Sequence, residues 1–175
     1  MRVLYIFAIV LFFPLLIVQS TVMPLISIKG VIPDLILILL VYFTLRLGQM
    51  HGTILGFTYG FLIDLITGNI FGSAMIAKTI SGFVTGYFYN ENKLDIYFKS
   101  IIFSLIVLLS ATIDSFIFSF FSSVELEKSI LLRFLEQGMF PGIYTAVVSL
   151  ILVMFHPRRN PFWEFQILAQ FNEAQ

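Results

Sequence analysis

The chain has 175 residues, of which 59% are hydrophobic and 11% charged, with 21 phenylalanines, a mean hydropathy of +0.99 and a formal net charge of zero. A soluble domain carries about 25% charged residues, so this chain cannot clothe itself in a polar surface and reads as an integral membrane protein. Zero net charge without a basic block excludes a nucleic-acid partner, and the lack of cysteine excludes disulfides, thiol catalysis and cysteine-based metal sites.

Six apolar segments follow one another, at roughly 3–22, 32–47, 52–68, 72–89, 99–122 and 130–155. Each is close to the ~20 residues that cross a bilayer as a helix. The expected fold is therefore an all-α integral membrane protein with six transmembrane helices. A single membrane domain occupies 1–156, and a more polar C-terminal tail occupies 157–175.

The first segment has one Arg and then an apolar run through Val18, with no small-x-small cleavage pattern. It reads as a retained span, kinked at Pro14. The second opens on Pro33-Asp34, where Asp34 is placed to cap a helix. The second and third are short and joined only by Leu47 to His51. Two full spans or one re-entrant hairpin both satisfy that spacing.

The third and fourth segments carry the most distinctive pattern. Gly52, Gly56, Gly60, Asp64 and Gly68 recur every fourth residue, and Lys78, Gly82 and Gly86 repeat the interval. Residues four apart lie nearly above one another on a helix, and a stripe of small residues lets two membrane helices approach closely. Asp64 lies six residues before Ile70 and Lys78 eight after it. At 1.5 Å per residue an antiparallel pair would bring the two within about 3 Å of one depth. Gly60 then falls near Gly82 and Gly56 near Gly86, and Asp64 is expected to face Lys78 as an ion pair. A structural pair and a working site are both compatible with that placement.

The fifth segment buries Asp114 about 22 Å from its start among Ser104, Ser110, Thr112, Ser115 and Ser119. Such hydroxyls bond to the preceding turn or to a neighbouring helix, so helix packing is their expected role. The sixth opens with Arg133 and Glu136, three apart and able to pair locally. It continues into Gly138-Met-Phe-Pro-Gly142, a further small-xxx-small pattern beside Pro141. The tail carries Arg158 and Arg159, which suit anionic headgroups, and then an aromatic stretch around Trp163 that suits the membrane interface or a cytoplasmic partner.

The Lys/Arg bias of the short loops sets the expected orientation. With the N-terminus inside, Arg2, Arg46, Lys93, Lys99, Arg158 and Arg159 lie on the cytoplasmic side, and Lys29, Lys128 and Arg133 on the other. Both termini are then cytoplasmic. Asp34, Asp64, Lys78, Asp114, Arg133 and Glu136 all fall in the outer half, where they suggest one outward-opening polar pocket. Catalysis has no foothold. HExxH, GxSxG, Walker and GxGxxG patterns are missing, and His51 and His156 share no face. The residues flanking Asp64 and Asp114 do not form an aspartyl-protease motif. No metal or other cofactor is expected.

Across residues 33–88 the motifs resemble one family. Pro33-Asp34-Leu35 opens a span and Arg46-x-Gly48 closes it. Gly56-Phe57-x-x-Gly60-x-x-x-Asp64-x-x-x-Gly68-x-x-x-Gly72 and Gly82-Phe83-x-x-Gly86 follow. Together they resemble the bacterial rod-shape-determining MreD family. The resemblance implies a non-enzymatic scaffold subunit of the cell-elongation machinery in the cytoplasmic membrane. Its implied partners are single-span MreC, bound through the glycine faces (Gly52, Gly56, Gly60, Gly68, Gly72, Gly82, Gly86, Gly138 and Gly142), with MreB filaments inside and RodA and its transpeptidase in peptidoglycan synthesis. It also implies a bundle similar to the substrate-binding subunits of energy-coupling-factor transporters, so a solute-binding transporter subunit is the alternative. Such subunits dock their partner through an Ala-xxx-Ala pattern in the first span. Here Ala8 is followed by the bulky Phe12, which favours the scaffold. Lys78 stands where the family pattern would carry an uncharged residue, so no family role transfers to it.

Overall fold

The computed structural model describes residues 2–27, 31–68, 70–90, 101–122 and 134–155. The described chain is helical throughout. Helix α1 covers Arg2–Thr21 and is followed by a short 3-10 turn, Met23–Ile26. Then come α2 (Leu35–Leu47), α3 (Gln49–Thr67), α4 (Ser73–Gly86), α5 (Ile101–Ser122) and α6 (Phe140–Phe155), the last preceded by a π-helical segment, Phe134–Met139. No strand occurs among the described residues.

Among the described residues two helices are long and apolar enough to cross a bilayer, Leu4–Thr21 and Ile101–Phe121. Helix α2, with 13 residues, is about 20 Å long, short of the ~30 Å hydrocarbon layer. Asp34 caps it: the side chain accepts from Leu37 N at 2.9 Å. At its other end Gly48, at φ +90°, reverses the chain in one residue, and α3 starts at once. Only a residue without a side chain adopts that conformation freely.

Helices α3 and α4 form the tightest pair, and their glycines explain why. A Cβ on Gly56 would sit 2.2 Å from the Lys78 carbonyl oxygen, and one on Gly60 would sit 2.4 Å from that of Ala74. Gly82 stands equally close to the Gly52 carbonyl, Gly86 to Gln49, and Gly52 to the side chain of Thr44 on α2. The stripe brings backbones together as lipid-embedded packing requires. Its register differs from the hairpin arithmetic. Gly60 meets Ala74 rather than Gly82, and Gly56 meets Lys78 rather than Gly86. Gly68 and Gly72 take no part in this contact. Both have positive φ and open space around them, and they turn the chain between α3 and α4.

Helix α1 packs at the edge. Ala8 and Phe12 are fully buried, the Phe12 ring stacks on Tyr59 at 4.9 Å, and Tyr59 Oη donates to the Ala8 carbonyl at 2.8 Å. Pro14 lies within α1. Pro141 is the second residue of α6, directly after the π-helical segment. Gly142 on α6 lies 2.4 Å (as Cβ) from Thr112 Oγ1 on α5, and Gly138 is buried in the π segment.

Candidate functional site

Lys78 organises the polar interior. It leaves α4 in mid-helix with 5% of its side chain exposed and reaches between α2 and α5. Its Nζ donates to Asp34 Oδ2 at 2.5 Å and to Asp114 Oδ2 at 3.1 Å. Asp114 is also sealed in, at 8% side-chain exposure, whereas Asp34 retains 22%. A lone ammonium in an apolar interior is prohibitive, and two carboxylates at contact distance offset its desolvation. One base thus ties three helices.

Asp34 does more than cap α2. Its backbone N–H donates to Thr145 Oγ1 at 3.1 Å, and Thr145 Oγ1 donates back to the Pro141 carbonyl at 2.8 Å. The next amide but one, of Ile36, donates to Gln19 Oε1 of α1 at 3.0 Å. The start of α2 therefore draws in α1, α4, α5 and α6. Thr145 and Gln19 were not singled out by sequence. Neither has a pattern of its own: Thr145 is a polar residue within an apolar run, and Gln19 opens the polar Gln-Ser-Thr end of the first segment.

Below Lys78 a seam of hydroxyls joins α4 to α5. Ser81 Oγ donates to the Ser110 carbonyl at 3.2 Å, and Thr85 and Ser110 share a hydrogen bond at 2.7 Å. Lys78, Ser81 and Thr85 are spaced to share one face of α4, as are Ser110 and Asp114 on α5. Thr112 and Ser104 do otherwise: Thr112 bonds back to Leu108, and Ser104 Oγ is buried without a partner. Ser119 bonds to Gln137 of the π segment.

Asp64 stands apart, and the expected Asp64–Lys78 pair is not formed. The Asp64 carboxylate instead accepts from the backbone amides of Gly72 (2.9 Å), Ala74 (3.1 Å) and Met75 (3.1 Å). The physical reason is capping. Helix α4 begins after a glycine, which has no side chain to satisfy the first amides. The preceding helix supplies the acceptor, at the positive end of the α4 dipole. Drawing the start of α4 down beside Asp64 shifts the hairpin register and carries Lys78 away from it. Arg133 lies outside the described residues, as does the Glu136 side chain.

Among the described residues the expected outer set divides: Asp34, Lys78 and Asp114 meet, and Asp64 caps α4. The first three turn inward and pair, leaving one buried carboxylate oxygen, Asp114 Oδ1, without a partner. Two carboxylates around one ammonium can hold helices in register. Among the described residues no three His, Asp or Glu side chains converge as metal ligands.

Comparison with known families rests on the same helices. The sequence model for the rod shape-determining protein MreD matches residues 1–157. The chain belongs to the MreD family. It is a membrane protein of rod-shape determination, and the matched region contains every helix described above. No curated protein and no solved structure matches the chain.

Proposed function

We propose that this chain is a non-enzymatic scaffold subunit of the bacterial cell-elongation machinery, spanning the cytoplasmic membrane six times with both termini inside. In this reading it binds a single-span MreC partner and so couples MreB filaments to peptidoglycan synthesis by RodA and its transpeptidase. The observation that carries it is the closed ionic cluster of Asp34, Lys78 and Asp114. A subunit that binds a polar solute needs an open polar cavity. Here the charged groups pair with one another within a packed bundle, as suits a rigid platform. The short helices α2 and α4 are accommodated if lipid adjusts locally to the mismatch.

In this reading the partner docks away from the glycine stripe between α3 and α4. Gly52, Gly56, Gly60, Gly82 and Gly86 are occupied by contacts within the chain. Ala8 and Phe12, at the position where a transporter subunit would offer its first span to a partner, face inward on Tyr59. The partner's span therefore meets an outer face, such as that of α3 with its stacked pair Phe57 and Phe61. Photo-crosslinking residues placed in turn at Phe57, Phe61, Phe83 and Phe13 test this in cells co-expressing MreC. The expected result is crosslinks confined to one helix face. Absence of crosslinks at every position, with a small solute retained on purification, would favour the transporter alternative.

A further inference from the structure

A cavity of about 240 Å³, open along one side, lies between α1 and α6 with α2 as its floor. Leu15 of α1, Ile38 and Tyr42 of α2, Phe103 of α5 and Leu152 of α6 line it. Arg46 stands at one end and is the one charged side chain among the described lining residues. Its guanidinium lies over the Tyr42 ring, 4.7 Å from the centroid. From Leu35 to Arg46 the floor runs about 16 Å along α2.

We infer that this groove is a lipid site, holding one acyl chain of an acidic phospholipid whose phosphate rests on Arg46. Three observations carry the assignment. The lining is apolar along the length of the groove, and water gains too few hydrogen bonds to fill such a space. The open side faces outward between two membrane helices, since only 11% of α1 is buried and its inward contacts use Ala8 and Phe12. The charge is at the end of the groove, in the last turn of α2, where a cation between membrane helices recognises an anionic headgroup. A partner helix fits less well: an apolar span supplies no anion to the cation at the end of the groove, whereas a headgroup phosphate does. The orientation proposed above decides only which leaflet supplies the lipid; headgroup selectivity tests the site in either orientation.

Native mass spectrometry of the full chain, released from detergent containing phosphatidylglycerol or phosphatidylcholine with matched acyl chains, tests the assignment. The wild type should retain phosphatidylglycerol preferentially. Arg46→Gln should lower that preference about five-fold, the discrimination one basic side chain provides at an anionic headgroup. Arg46→Lys should keep most of it. Leu152→Trp, at a position 49% exposed and therefore free of core strain, should reduce retention of both lipids by blocking the groove. Unchanged selectivity in Arg46→Gln would overturn the headgroup assignment. Retention of both lipids in Leu152→Trp, or loss there of a single-span partner with lipid retained, would overturn the groove as a lipid site.

Discussion

Lys78 Nζ lies 2.5 Å from the carboxylate of Asp34, the residue that caps α2. A helix start and a mid-helix base forty-four residues later thus share one ion pair, with Asp114 as the second acceptor. Local helix formation in α2 and the packing of α4 against α5 are coupled through this contact.

Removing the base should therefore be worse than removing the whole cluster. Lys78→Met strands two carboxylates and should cost about 3–5 kcal/mol, while Asp34→Asn/Lys78→Met/Asp114→Asn leaves no uncompensated charge and should recover much of that loss. Asp114→Asn alone should be milder than Lys78→Met, because Lys78 keeps Asp34. Thermal unfolding of the purified proteins in detergent orders the variants. A triple variant less stable than Lys78→Met would refute the pairing.

Asp64 should behave independently of Lys78. Asp64→Ala removes the acceptor of three α4 amides and should cost about 1–3 kcal/mol. Combined with Lys78→Met, the two effects should add to within about 0.5 kcal/mol, as expected for groups that share no partner. A double-mutant cycle measures this, and a larger coupling would mean either that the two side chains meet or that loss of the cap lets α4 slide and Lys78 change partners.

Two glycines of the same four-residue repeat should differ sharply. Gly56→Ala drives a methyl group into the Lys78 carbonyl at 2.2 Å and should cost at least the 1–3 kcal/mol typical of overpacking. Gly68→Ala meets nothing within 4 Å and is limited to the strain of φ +66°, about 1 kcal/mol. Comparing their unfolding midpoints separates the packing role from the turn role. Equal losses would contradict that division.

Tyr59→Phe keeps the stacking on Phe12 but loses the bond to the Ala8 carbonyl. It should cost about 1 kcal/mol and loosen α1 from the bundle. Faster cysteine labelling at an Ala8→Cys reporter in the Tyr59→Phe background, relative to the same reporter alone, would register that loosening. Unchanged labelling would place the anchor of α1 elsewhere.

Much of this molecule is legible along the chain, because some signals are local. A chain with 11% charged residues has to place its apolar surface in lipid or in a core, and the cap at Asp34 and the turn at Gly68 depend only on adjacent backbone. The four-residue spacing of glycine likewise defines a helix face whatever it touches. Partnership is different. At 100° and 1.5 Å per residue, a shift of about two turns between α3 and α4 changes which side chains meet, and no pattern in either helix records that shift. It is fixed by contacts between distant segments: the Asp64 carboxylate holds the free amides at the start of α4, and Lys78 meets its acids on α2 and α5.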